Sequence, residues 1–345
     1  MKIALVYDRV NKIGGAEKVL QALHEIWPEA PLYTAVYNPK GAPWAKDFSI
    51  RTSFLQKVPF AASNHELFPW LTPLAFEQFD FSDFDVVLSI TSAEAKCCVT
   101  PPNVLHICYC LTPTRYLWSH KNLYEKSGLK GLALKLSGPF MRIQDFLAAQ
   151  RVDEFLAISK EVKGRIKKYY QREAEVVYPP VSVSQQTEND FTVPPKPYYL
   201  IVSRLVSYKK VEIAIEAFND LKKQLIIIGT GSEEKRLKKI AGPTITFTGQ
   251  LTEGEVTGYY MHCRGVIFTP EEDFGIVPVE AQMYGKPVLA FSKGGAKETV
   301  IEEKTGVFFA RQDKQTLKEC IVRFEKMSFK QRLRRKRRFV FKGAV

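Results

Sequence analysis

The chain has 345 residues, 45% of them hydrophobic, and a formal net charge of +13. That length suggests two domains, and the apolar fraction suffices for a core in each. No run approaches the roughly 20 apolar residues a membrane-spanning helix needs. The opening MKIALVYDRV meets charge too early for a secretory leader and reads as a first strand over residues 2–8. A Gly14-Gly15 loop follows, then a helix from about residue 16 to 26, with Val19, Leu20, Leu23 and Ile26 on one face. Apolar, β-branched runs predict further strands near residues 32–37, 86–90, 105–110 and 155–158, as in a parallel sheet covered on both faces. Residues 38–84 look irregular, rich in proline and in exposed-looking aromatics such as Phe68, Trp70 and Phe76. That stretch reads as a packed surface helix-loop, an acceptor-facing excursion or a membrane-adjacent patch. Ser159 is the expected N-cap of a helix running through Tyr170.

The cysteines Cys97, Cys98, Cys108, Cys110, Cys263 and Cys320 do not fall at paired metal-ligand spacings. They read as buried thiols, with His106 as a strand residue. Pro179-Pro180 and Pro194-Pro195 bracket a polar stretch, which predicts a first domain over residues 1–180, a linker over 181–197 and a second domain over 198–327. A new alternating series then begins, with strands near Tyr198, Leu225, Ile245, Val266 and Val288. Gly229-Thr230-Gly231 follows the strand LIIIG. The third glycine of a dinucleotide fingerprint is absent, since Glu234 holds that place. That argues against a nicotinamide enzyme. Residues 328–345 form a basic terminal segment, and residues 330–342 alone carry eight cations and no acid. The segment suits a helix packing back across the domains or contact with anionic lipid, where each basic residue contributes about 1 kcal/mol. Nucleic-acid binding is disfavoured, because no recognised module accompanies the patch.

Two constellations carry chemistry. Arg204 and Lys209 fall at the carboxyl end of a strand expected from Tyr198 to about Leu205, just before a helix from Val211. They offer a planar fork and a point charge to phosphate oxygens; surface charge is the plain alternative. Glu272 and Glu280, separated by seven residues in EEDFGIVPVE, bracket a loop-to-helix turn. Ionised carboxylates accept hydrogen bonds from sugar hydroxyls, and the helix start presents amides to an anion. The plain alternative is two solvated acids at a helix start. Gly294-Gly295 before Glu298 is a further loop-to-helix anion cradle or a simple turn.

These residues resemble the donor motifs of the retaining, GT-B-fold glycosyltransferases of family 4. The stretches GGAEKVLQAL, LHICYCLTPTRYLW, VDEFLAISKEV, VVYPPV and SRLVSYKKVEIAIEAF are similar to the bacterial O-antigen and exopolysaccharide mannosyltransferase branch. So is the long stretch from Glu271 to Val300. The resemblance implies an α/β fold of two doubly wound Rossmann-like domains facing a cleft. It implies that Arg204 and Lys209 contact the donor diphosphate and that Glu272 faces the transferred sugar. The backbone of Phe274, Gly275, Ile276 and Val277 would line sugar and phosphate, and Glu280 would bind the ribose. Gly14 and Gly15 would lie across the cleft. Gly229, Gly231, Gly249 and Leu251 would border the nucleoside. Leu111 stands where many relatives carry His, which leaves Thr112, Arg115 and His120 as acceptor-side candidates. Ser182 stands where relatives often have Asp.

The implied reaction moves a hexose, mannose from GDP-mannose, onto a lipid-linked oligosaccharide or polysaccharide precursor. It uses no metal or other cofactor and takes place at the cytoplasmic face of the membrane, with no nucleic-acid partner. A UDP-sugar-dependent transferase, a nucleotide-sugar epimerase of the same fold and an inactive nucleotide-sugar-binding scaffold are the alternatives.

Overall fold

A computed structural model describes residues 1–12, 14–64, 68–119, 128–184 and 191–327. The proposed acceptor-side residue His120, the middle of the linker and the basic terminal segment lie outside the described residues. The chain divides into two compact units after Pro180.

The first unit is built on a seven-stranded parallel sheet of order β3-β2-β1-β4-β5-β6-β7 among the described residues. Its strands are β1 (Ile3–Tyr7), β2 (Leu32–Thr34), β3 (Ile50–Thr52), β4 (Val86–Thr91), β5 (Leu105–Cys110), β6 (Glu154–Ala157) and β7 (Glu175–Val176). Helices α1 (Gly15–Ile26), α2 (Ala61–Asn64), α3 (Thr72–Glu77), α4 (Gly128–Arg151) and α5 (Lys160–Tyr170) connect them. Ile3 to Tyr7 are buried throughout, as expected for a central strand covered on both faces. Ser159 caps α5 as expected, accepting a hydrogen bond from the Val162 amide at 3.0 Å.

Three features differ from the sequence reading. The stretch 38–84 contributes a strand, β3, which continues the sheet beyond β2 through pairs such as Tyr33 with Arg51. Phe76, expected at the surface, is fully buried. It joins Phe79, Phe81 and Phe84 in an edge-to-face cluster around Tyr33. Helix α4, 24 residues long, had no clear sequence signature, since it contains Pro139 and several glycines. Its stability comes from packing, with Met141, Asp145, Ala148 and Ala149 turned inward.

Among the described residues the second unit holds a six-stranded parallel sheet of order β10-β9-β8-β11-β12-β13. The strands are β8 (Tyr198–Val202), β9 (Gln224–Ile228), β10 (Ile245–Gly249), β11 (Gly265–Phe268), β12 (Val288–Phe291) and β13 (Gly306–Phe309). Helices α6 (Val211–Leu221), α7 (Glu234–Ile240), α8 (Glu253–His262), α9 (Ile276–Met283), α10 (Ala296–Thr299) and α11 (Lys314–Lys326) complete it. One core lies under α6 and α11, where Phe218, Leu237, Leu317, Ile321 and Phe324 pack on one sheet face. The other face holds Leu200, Tyr260, Val266, Ala281 and Ala290. Strand β8 ends at Val202, earlier than expected: Ser203 donates to Ile228, the last residue of β9, and Leu205 to Thr230 in the loop beyond it.

The orders of the two sheets share one consequence. Each chain run leaves the central strand in one direction and later returns to its other side, at β1/β4 and at β8/β11. Crevices open at the carboxyl ends of such strand pairs, where open α/β sheets bind ligands.

Candidate functional site

In the second unit, the two constellations fall on either side of one switch point. Arg204 and Lys209 follow β8; Glu272 and Glu280 follow β11. The two loops are tied directly, since the Thr269 hydroxyl donates to the Lys209 carbonyl at 2.7 Å. Lys209 Nζ pairs with Glu272 Oε1, and both side chains are less than one-fifth exposed. Residues assigned separate roles therefore converge in one largely desolvated ion pair.

Arg204 is exposed and donates to the Tyr208 hydroxyl at 2.7 Å. Lys209 Nζ lies 5.4 Å from the centre of the same ring. Tyr208 thus bridges the two cations, a role the sequence reading did not assign. Its position between them in SRLVSYKK was the available signal. The glycines after β9 shape the support beneath Arg204. A Cβ on Gly229, whose φ is +125°, would meet the Ser203 carbonyl oxygen at 2.0 Å, and one on Gly231 would meet that of Leu205 at 2.2 Å. Gly229 and Gly231 thus let this loop lie against the Ser203–Leu205 backbone. The Gly229 amide donates to the carbonyl of Gly249 at 2.8 Å, which brings the β10 turn to the same edge. Leu251, just beyond, packs against the core beside that turn.

On the other side, Gly275 is the N-cap of α9, with φ +81° and no side-chain cap. The first amides of α9 are therefore not occupied by a capping side chain, and the positive end of the helix dipole opens at Ile276 and Val277. Phe274 is buried, with its ring in the core rather than toward the site. Glu280 stands one turn into α9 and accepts from the Tyr260 hydroxyl at 3.1 Å. Tyr260 is buried and stacked on Tyr284, and its own pKa is raised by burial and by the Glu280 charge. Gly294 and Gly295, read from sequence as a second anion cradle, pack on the Glu272 loop. The Gly295 amide donates to the Glu272 carbonyl at 2.8 Å, and a Cβ on Gly294 would stand 2.3 Å from that oxygen. This pair positions Glu272; α10 behind it has only four residues.

In the first unit, Gly14 and Gly15 begin α1 at the end of β1, and Thr112 and Arg115 follow β5, all at the carboxyl edge of the sheet. Thr112 is buried, while Leu111, the departure from the family pattern, is also largely buried. The same edge carries a polar cluster that the sequence reading missed. Asp8 accepts from the Thr91 hydroxyl at 2.7 Å and from the amides of Ser92 and Ala95 at 2.7 and 2.8 Å. Glu94 is buried beside it and accepts from the Tyr116 hydroxyl. Burial, then the Asp8 charge, raises the Glu94 carboxyl to about 7. Lys96 and Asp145 form a buried ion pair at 2.6 Å, and Asp145 also accepts from Thr114 and Trp118, each at 2.7 Å. Burial is the largest single influence and works against the Lys96 charge, but the Asp145 carboxylate, with Tyr170 and Cys97 adding to it, holds that ammonium well above its usual range. Asp8 and Glu94 sit at the ends of apolar strands, the one clue that sequence offered.

Residues 185–338, in the C-terminal half, match the family model Glycosyl transferases group 1. An uncharacterised glycosyltransferase of Methanocaldococcus jannaschii is 27% identical, with 51% of this chain and 50% of that protein covered. A GDP-mannose-dependent α-(1-6)-phosphatidylinositol monomannoside mannosyltransferase of Mycobacterium tuberculosis is 32% identical, over 32% of this chain and 34% of that protein. The chain thus matches half or less of the length of these relatives. In fold it is similar to Anabaena HepE, solved in complex with UDP, with a TM-score of 0.68, 17% identity and coverage of 96% and 92%. Two parallel-sheet Rossmann-like domains in one chain are the fold of the GT-B glycosyltransferases.

Proposed function

We propose that this chain, with its group 1 glycosyltransferase domain, is a retaining hexosyltransferase that moves mannose from GDP-mannose to a hydroxyl of a lipid-linked saccharide. The observation that carries the reading is the convergence at the β8/β11 switch point. Two cations, one carboxylate and an open helix start meet there within one unit. A diphosphate needs the first and last of these; a sugar hydroxyl needs the second.

In the proposed reaction, the bond between sugar C1 and the diphosphate oxygen breaks, and its electron pair leaves on that oxygen. Arg204, Lys209 and the amides of α9 stabilise the growing negative charge, so no metal is needed for this task. Glu272 gives up part of its pairing with Lys209 to the incoming sugar. The acceptor hydroxyl attacks C1 from the departing face and passes its proton to the leaving phosphate. Glu280, held by Tyr260, accepts from the ribose hydroxyls. The mannose assignment is supported by the GDP-mannose-dependent relative. The proposed setting is the cytoplasmic face of the membrane, with the acceptor presented there.

The test is thermal unfolding with GDP, GDP-mannose, UDP-glucose and NAD, with EDTA present. A ligand at about 100 times its Kd stabilises by about 2.7 kcal/mol, or roughly 5–10 °C for a unit of this size. Selective stabilisation by GDP and GDP-mannose is expected. Selective stabilisation by UDP-glucose would discard the mannose assignment, and stabilisation by none would discard the donor site.

A further inference from the structure

We propose that helices α3 and α4 of the first unit form a docking face for an anionic lipid bilayer. The face is defined by four side chains of α4 at helical spacing. Leu136, Phe140, Ile143 and Leu147 are 77, 63, 59 and 54% exposed. Steps of four, three and four residues place them on one stripe. The stripe lies opposite Met141, Asp145, Ala148 and Ala149, which are the residues that anchor α4 to the unit. Burying α4 therefore does nothing for these four large apolar side chains.

Helix α3 widens the face. Its end is joined to the end of α4 by the Arg151–Glu77 ion pair at 2.8 Å. Pro69 and Pro73 line the same small crevice as Met141 and Gln144. The two helices are therefore neighbours, and α3 and its lead-in add Trp70 and Leu74, each half exposed. Single exposed apolar residues are common on any surface, but four large ones on a single helical stripe, with two more on a neighbouring helix, call for a partner.

Charge selects the partner. Beside the stripe, helix α4 carries Lys135 and Arg142, while its one acid, Asp145, points inward and is neutralised by Lys96; Arg151 is matched by Glu77. An apolar stripe with cations on its flank and no outward acid is the pattern of a helix lying in a lipid interface, with aliphatic and aromatic side chains among the acyl chains. Among the described residues no helix is long and apolar enough to cross a membrane, so α4 would lie along the surface. A second copy of the chain fits less well. Both copies would carry a net charge of +13 and repel one another.

The face does not depend on the donor assignment, because its test contains no nucleotide. The full chain would be sedimented with vesicles of phosphatidylcholine alone and with vesicles containing 30% phosphatidylglycerol (a roughly physiological anionic fraction). Binding to the anionic vesicles is expected, weakened at least about tenfold by Phe140→Ser with Ile143→Ser. These side chains are exposed, so the thermal midpoint should hold. If the double variant fails to fold, Lys135→Gln with Arg142→Gln serves instead, and should weaken anionic binding several-fold without touching the stripe. Unchanged vesicle binding in the variant would overturn the proposal. So would a concentration-dependent dimer, seen by sedimentation velocity, that Phe140→Ser abolishes.

Discussion

The Lys209–Glu272 pair makes a prediction that separates scaffold from site. Both side chains are less than one-fifth exposed, so the pair is screened far less than a surface ion pair. At an ordinary contact of about 2.8 Å and an effective dielectric of about 20, the attraction is about 6 kcal/mol. Desolvating two ions offsets most of that, leaving a net coupling of about 2 kcal/mol. Lys209→Met strands a mostly buried carboxylate and Glu272→Gln strands a mostly buried ammonium. Each should lower the stability of the second unit by about 2 kcal/mol. The double variant should cost little more than either single one, because no charge is left stranded. Urea unfolding of the four proteins measures the cycle. Donor function should behave in the opposite way. GDP-induced stabilisation and turnover should be lost wherever Lys209 is replaced, with no rescue in the double variant, and turnover should fall at least about tenfold in each single variant. Stability effects that add within about 0.5 kcal/mol would refute the pairing. Near-normal turnover in Lys209→Met would refute its role at the diphosphate.

Two further outcomes follow from the geometry. Gly294→Ala places a Cβ 2.3 Å from the Glu272 carbonyl at a φ of +65°, so it should destabilise by at least about 2 kcal/mol and abolish the GDP shift; wild-type melting would remove the positioning role given to this glycine. Glu94 holds a proton in the folded protein up to a pH of about 7, against about 4.5 for a free side chain. Between those values the folded state keeps a proton that the unfolded chain has released. Stability therefore falls as pH rises through the window, by about 3 kcal/mol in total. Glu94→Gln, which retains an acceptor for Tyr116, should flatten the profile between pH 5 and pH 8, and urea midpoints that run parallel to wild type would refute this.

The sequence by itself determined the alternation of strands and helices, the break near Pro180 and the two motifs of the second unit. It could do so because apolar runs and turn residues are local signals, and because Arg204, Lys209, Glu272 and Glu280 lie close to the strands that carry them. Tertiary structure decided what those residues touch. Strand order places β8 beside β11 although some 60 residues separate them, and only that adjacency makes an ion pair of Lys209 and Glu272. It also assigned Tyr208 to both cations, turned Gly294-Gly295 from a cradle into a support, and buried Phe76 within its aromatic cluster. The buried groups Asp8, Glu94, Lys96 and Asp145 were illegible for the same reason. A charge is tolerated in an interior only by partners far away in sequence, as Lys96 is by Asp145, and residue order alone does not name them.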